Sequence, residues 1–229
     1  MDGSVIYVDP GGVKMSRNKR VNGCVFIGCP GSGKTYQMEE RYKEINNVFS
    51  EEQMFRFECH EKSTIHTIFS MIKDRPSLKF VFIDEAHFLD TDINTWNLFI
   101  DYLIDKKIEM YLSSLDLWHD CSETLIESSI KYRVKYTQYL SCKCVFCNKE
   151  KARRAVKAGD LKIKKDLNKD IYLPSCSGCY DDVCKGVISK QKVADIQKVI
   201  YREDNRVSTR NYSHGEWLDF LKTSKGWNI

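Results

Sequence analysis

No apolar run in the 229-residue chain approaches the roughly 20 residues needed to span a bilayer. The first stretch, MDGSVIYVDPGGVKMSRNKR, lacks the basic start and apolar middle of a signal peptide. Together these absences predict an intracellular, cytoplasmic protein with no membrane contact. Charge of one sign is also scarce. The net charge of +4 is too weak by itself to argue for a nucleic-acid partner. Internal repeats are missing, which excludes a solenoid or other repeat array.

What is present points to a packed domain. Hydrophobic residues make up 42% and charged residues 30%, a balance that builds a core rather than a disordered chain. Ten cysteines are many for a reducing compartment, where disulfide frameworks do not persist, so metal binding is the first expectation. Cys24, Cys29, Cys59 and Cys121 are scattered and read as small buried hydrophobes. Cys142, Cys144, Cys147, Cys176, Cys179 and Cys184 crowd the second half.

The apolar pattern predicts alternating strands and helices. GCVFIG (23–28), MFRFE (54–58), KFVFID (79–84), IEMYLSS (108–114) and VKYTQYL (134–140) read as strands. Met38, Tyr42 and Ile45 fall at helical spacing, as do Ile65, Ile68, Phe69 and Ile72, and then Trp96, Phe99, Ile100 and Leu103. A further helix is expected near 122–131. Such alternation predicts an α/β fold: a P-loop NTPase-like, mainly parallel sheet with helices on both faces. From 141 the pattern gives way to paired cysteines, a basic stretch and a Pro-Ser turn. The expected organisation is an N-terminal extension (1–20), a P-loop kinase domain (21–140), a small zinc-binding domain (141–184) and a helical C-terminal tail (185–229). In that tail HGEWLDFLKT (214–223) reads as a short amphipathic helix.

The stretch GCPGSGKT fits the P-loop pattern G-x-x-x-x-G-K-[ST], with a strand before it and a helix after it. Gly28, Gly31, Ser32 and Gly33 form a loop whose backbone N–H groups wrap phosphates, aided by the positive end of the helix. Lys34 is expected to reach the β- and γ-phosphates, and Thr35 to ligate Mg²⁺. The acids VFIDEAHFLD end another buried strand. Asp84 suits a Mg²⁺ ligand acting through water. Glu85, one residue on, is either a general base or only a carboxylate at a helix start. His87 is either a strand-end histidine hydrogen-bonded to its surroundings or a contact to the acceptor or γ-phosphate. DEAH also occurs in helicases, but those need a second motor domain, for which the remaining chain is short.

Cys144-x2-Cys147 and Cys176-x2-Cys179 can each sit on a tight turn, and two such turns facing each other make a tetrahedral zinc site. The spacing requires a long loop between the knuckles. Cys142 and Cys184 compete as ligands. In this order, GSGKT, IDEAHF, SSLDLW, CVFC followed by KARRA, and YLPSCSGCY resemble the zinc-containing (type II) thymidine kinases.

That resemblance implies phosphoryl transfer from ATP to the 5′-hydroxyl of thymidine or a related deoxynucleoside, in support of DNA synthesis. Glu85 then matches the catalytic base, and Lys34 and Thr35 the phosphate and magnesium ligands. Tyr172 matches the tyrosine of a lasso that closes over the nucleoside, and Trp118 is the candidate aromatic on the base. Cys144, Cys147, Cys176 and Cys179 match the ligands of a structural Zn²⁺. The resemblance also implies a homo-oligomer, a tetramer. The chain has His87 where the family usually has Gln, and Cys29-Pro30 where it usually has Pro-Met. Two other readings stand beside this one. Segment 148–175 carries nine Lys/Arg against four Asp/Glu, so a P-loop kinase or NTPase acting on a nucleotide within DNA or RNA is the runner-up. The third is a binding protein that kept the kinase fold and lost its chemistry.

Overall fold

The five apolar segments form five strands because each is flanked by turn-forming residues and carries few charges to hold in water. The computed structural model describes residues 19–60, 63–118, 121–148, 151–163 and 167–200. The strands are β1 (Val21–Ile27), β2 (Met54–Glu58), β3 (Phe80–Asp84), β4 (Glu109–Ser114) and β5 (Val134–Tyr139). They make one sheet in the order β2-β3-β4-β1-β5, and every pairing in it is parallel. β3 is buried at all five positions, as expected for a strand covered on both faces.

Helices cover the two faces. α1 (Lys34–Asn46) lays Met38, Tyr42 and Ile45 on one face, against Phe26, Phe80, Phe82 and Tyr111. α2 (Ile65–Ile72) and α3 (Ile93–Asp105) pack Ile68, Ile72, Trp96, Ile100 and Leu103 on the other, against Val25, Val81, Ile83 and Leu112. Each fully buried Ile or Leu there contributes about 1.5–3 kcal/mol relative to exposure. α2 and α3 start where the sequence caps them: Thr64 accepts the Thr67 N–H, and Asp92 accepts the N–H groups of Asn94 and Thr95. No described helix is long and apolar enough to cross a membrane.

Two expectations need correction. The helix near 122–131 is not continuous. α4 (Leu125–Ser128) lasts one turn, Ser129 leaves the helical region at φ −141°, and a 3-10 turn follows over Ile130–Arg133. Arg133 then spans to α3, donating to Asn97 Oδ1 at 2.7 Å and pairing with Asp101 at 2.6 Å. The second correction concerns the long loop between the cysteine pairs and its Pro-Ser turn. That segment is an antiparallel ribbon of β6 (Arg154–Ile163) and β7 (Leu167–Ser175). Pro174 and Ser175 lie inside β7, opposite Ala155 and Arg154. A two-stranded ribbon consists of edges, so a proline without an N–H is tolerated there.

α5 (Ser177–Cys184) and α6 (Lys190–Ile200) follow. Val193 and Ile196 of α6 cluster with Val156 and Leu173 of the ribbon. Most of the expected N-terminal extension and the 214–223 helix lie outside the described residues.

Candidate active site

All five strands point the same way, so the ends of β1, β3 and β4 meet at one edge of the sheet, where ligands of such sheets bind. The loop leaving β1 is the P-loop. Gly28 donates its N–H to Ser114 O at 3.2 Å, which ties the loop to the end of β4. A side chain there would meet Leu140 O at 2.3 Å and Ser32 Oγ at 2.6 Å, so only glycine fits. Gly31 and Gly33 take φ of 74° and 88°, the left-handed turns that aim successive N–H groups inward. Lys34 is buried, and its ammonium donates to Cys29 O at 3.0 Å. Ser32 Oγ is buried with no hydrogen-bond partner.

β3 supplies the acids. Asp84 is 1% exposed. Its Oδ1 accepts from Thr35 Oγ1 at 3.2 Å, from the Glu85 N–H at 3.0 Å and from Ser113 Oγ in a short contact. All these donors fall on one oxygen. Oδ2 is left buried and unpartnered. A buried carboxylate oxygen without a donor is costly unless a cation meets it. Thr35 Oγ1 and Asp84 together therefore fit a hard, oxygen-seeking divalent ion.

Glu85 sits at φ 55°, a left-handed conformation rare for a residue with a Cβ. Its N–H is fastened to Asp84 Oδ1 and to Ser113 Oγ, each at 3.0 Å. It is the N-cap residue of the 3-10 turn Ala86–Phe88, and its side chain makes no cap hydrogen bond there. The chain turns sharply there, and the carboxylate lies beside His87, with Glu85 Oε2 3.5 Å from His87 Nε2.

His87 is buried and neutral. Burial first, and then the Lys34 charge, push its pKa from 6.5 down to about 3. Nδ1 accepts the Leu115 N–H at 3.3 Å, so the ring proton resides on Nε2, the nitrogen facing Glu85. Trp118 meets the His87 ring edge-on at a centroid distance of 5.3 Å and Phe88 at 6.2 Å. It stands on a loop closed by the Leu117–Glu123 bridge and by its own N–H donating to Ser122 O at 2.8 Å. Glu85, His87 and Trp118 thus form one cluster. Tyr172 is placed by a different element, in β7 opposite Lys157 and two residues before Pro174. Pro174 approaches the P-loop: a Cβ on Gly31 would lie 3.8 Å from its Cγ.

The four paired cysteines come together. Sγ atoms of Cys144, Cys147, Cys176 and Cys179 lie within 4.8 Å of one another, and Cys147 and Cys176 are 3.9 Å apart. Tetrahedral zinc at about 2.3 Å from each sulfur sets neighbouring sulfurs about 3.8 Å apart, so the cluster fits Zn²⁺. Four cysteine thiolates would fill a tetrahedral ion's positions and leave none open, the donor set of a structural site. The competition is resolved: Cys184 is exposed at the end of α5, and Cys142 lies against Cys29.

Sequence reasoning missed two members of the site. Ser113 bridges Asp84 and Glu85; its only signal was a polar pair ending a buried strand. Asp116 was overlooked beyond its motif. Burial raises its pKa, partly offset by the Leu117 N–H that its carboxylate accepts and, less, by the Lys34 charge. A cavity of about 490 Å³ lies elsewhere, between α1 and the β1–β5 edge, lined by Arg41, Tyr111 and Tyr136 among others and by none of the candidate residues.

A family model described as "Thymidine kinase" matches residues 32–180, well over half of the chain. The chain belongs to the thymidine kinase family. Membership marks it as a phosphotransferase, with a nucleoside kinase as the general type. No curated protein matches this family member significantly. Among solved structures it is similar to the Saccharomyces cerevisiae Hsp104–ADP complex, with 17% identity and a TM-score of 0.39 over 57% of this chain and 21% of that one. C. elegans PCH-2 matches with 16% identity and a TM-score of 0.35 over 52% of this chain and 35% of that one. The Thermotoga maritima RuvB Holliday junction branch migration motor matches with 17% identity and a TM-score of 0.35, over 54% and 39%. The thymidine kinase family member thus spans well under half the length of these structures.

Proposed function

We propose that the chain transfers the γ-phosphoryl group of ATP to the 5′-hydroxyl of thymidine or a related deoxynucleoside, with Mg²⁺ at the phosphates. The observation that carries this reading is the placement of Glu85. Its N–H is pinned to Asp84 at the turn that follows β3, and its carboxylate lies beside His87, whose ring packs on Trp118.

In this reading the P-loop N–H groups and Ser32 Oγ receive the phosphate oxygens. Lys34 exchanges the Cys29 carbonyl for the β- and γ-phosphates. Asp84 and Thr35 would hold a Mg²⁺, which would supply charge neutralisation for phosphoryl transfer. Glu85 accepts the proton of the 5′-hydroxyl as that oxygen bonds to the γ-phosphorus and the bond to the β-phosphate oxygen breaks. Trp118 and Tyr172 flank the base. His87, neutral at all physiological pH, orients Glu85. Zn²⁺ in the four-cysteine site would anchor both ends of the β6–β7 ribbon, a folding role.

The segment 148–175, with its local excess of basic residues, favours a second acceptor class, a 5′-hydroxyl end within DNA or RNA. One screen separates the two. ATP transfer is measured over free deoxynucleosides and 5′-hydroxyl oligonucleotides at low and high salt. A free nucleoside acceptor shows little salt dependence, whereas an oligonucleotide acceptor weakens steeply. Glu85→Gln is expected to lower kcat by about 10²–10⁴-fold with ATP binding kept. Wild-type-like turnover in that variant refutes the base assignment, and no transfer to any acceptor supports a binding protein.

A further inference from the structure

Two thiols outside the zinc cluster face each other across the junction between the P-loop and the zinc-binding segment. Cys29 Sγ lies 3.5 Å from Cys142 Sγ, although 113 residues separate them. Cys29 Sγ also points to Ala152 O at 3.6 Å, and Cys142 Sγ points to Pro30 O at 3.6 Å. Each thiol thus reaches across to the other's segment. Main-chain bonds hold both sides: Ser32 N–H donates to Cys29 O at 3.2 Å, and Ala152 N–H donates to Cys142 O at 2.8 Å.

This arrangement differs from ordinary cysteine packing. Cys59 belongs to the main apolar cluster and Cys24 packs against the second one. Cys29 is 2% exposed yet belongs to none of the three clusters. Its burial is against another sulfur and carbonyl oxygens. Cys142 is only half-buried, so the pair is less shielded on its side than on that of Cys29.

We propose that Cys29 and Cys142 are a modification site, a dithiol that a small hydroperoxide converts to a disulfide across the phosphate-binding loop. In the first step Cys142 sulfur attacks one peroxide oxygen. The S–O bond forms, the O–O bond breaks, and the released hydroxide takes the thiol proton and leaves as water. In the second step Cys29 sulfur attacks the sulfenyl sulfur of Cys142. The S–S bond forms, the S–O bond breaks, and the departing hydroxide takes the Cys29 proton as a second water. The two sulfurs are oxidised by two electrons in total, and the peroxide is reduced. Closing the bond draws the sulfurs from 3.5 Å to about 2 Å. Residue 29 moves with its sulfur, and its carbonyl accepts the Ser32 N–H that holds the phosphate-binding loop in shape. The oxidised loop therefore receives a triphosphate poorly. The nucleotide consequence rests on the phosphate-site reading above; formation of the disulfide does not.

The test uses the full, zinc-loaded chain treated with a few equivalents of hydrogen peroxide. Free thiols are then blocked with iodoacetamide and the digest is mapped by mass spectrometry. Zinc release is followed with a chromophoric chelator, and binding of a fluorescent ATP analogue is titrated before and after. The expected result is a Cys29–Cys142 cross-linked peptide with zinc retained. Affinity for the analogue should fall about tenfold or more, the loss of one charged hydrogen-bond partner, and return on reduction with dithiothreitol. Cys142→Ser, or Cys142→Ala if the serine variant is unstable, should keep its affinity under the same peroxide. A digest in which both cysteines are alkylated after treatment overturns the proposal. So does loss of affinity that tracks zinc release and occurs equally in the Cys142 variants. If the untreated chain fails to bind the analogue, the phosphate-site reading fails, while the peptide map still decides the disulfide.

Discussion

Gly28→Ala tests how tightly the phosphate loop is built. The backbone of Gly28 is not in the left-handed region, so alanine is conformationally acceptable there and any effect is steric. The added Cβ would sit 2.3 Å from Leu140 O and 2.6 Å from Ser32 Oγ, where real Cβ contacts stay above 3.0 Å. Ser32 Oγ can rotate away, but Leu140 O is main chain and must retreat by about 0.7 Å, an overpacking strain of about 1–3 kcal/mol. Leu140 is tied to β1 through its N–H to Ile27 O at 2.7 Å, so the retreat strains the β1–β5 pairing as well. For a chain of this size the expected drop in Tm is about 2–12 °C. The displaced loop also misplaces Lys34, and an error approaching 1 Å costs on the order of 10²-fold in transfer rate. Gly178→Ala is the control. Gly178 is exposed in α5 with nothing within 4 Å of an added Cβ. That change should leave Tm unchanged or raise it, because alanine favours a helix over glycine by about 0.5–1 kcal/mol. Thermal melts and ATP-analogue titrations on both variants decide the matter. A Gly28→Ala protein with the melting point and nucleotide affinity of the parent refutes the steric argument.

Other consequences are equally direct. His87 has a folded pKa near 3 against 6.5 ordinarily, so the unfolded chain takes up the proton first as pH falls. Stability should therefore decline from about pH 6.5 toward pH 3 with a slope of up to about 1.4 kcal/mol per pH unit, and His87→Gln should remove that part of the slope. Urea melts of both proteins at pH 7 and pH 5 check this, and identical differences would count against a buried neutral His87. Cys176→Ser should release zinc and lower hydrogen-exchange protection in the β6–β7 ribbon while leaving β1, β3 and β4 protected. Full protection of the ribbon in zinc-free protein would show that the metal is not its anchor.

β1, β3 and β4 were legible because they are mostly buried and read as short apolar runs, and β2 because its residues alternate. β2 and β3 fall within a residue of their expected limits. The helix faces of α2 and α3 were legible for the same reason. Pairing of the cysteines followed from spacing, since two short turns can face each other whatever lies between them. The ribbon was obscured because many of its residues are charged and a two-stranded ribbon needs no apolar run. The break at Ser129 was obscured because Ile126 and Ile130 keep helical spacing through it, and both are buried. Ser113 had only a polar pair at a strand end as its signal, and the Cys29–Cys142 contact had none. Both depend on which strand lies beside which, and that order is set by the whole sheet rather than by any local segment.

β4 lies between β1 and β3 and carries no acid or base proposed for the chemistry. Two strand spacings, about 9.6 Å, therefore separate the strands bearing the P-loop and Asp84. The same strand runs on into the loop that holds Trp118 over His87. In the proposed kinase reading it acts as a common ruler for the two substrates. A tilt of β4 would carry the phosphate end and the base end together, so changes in the loop after it can retune the acceptor without resetting the distance over which the phosphoryl group must travel.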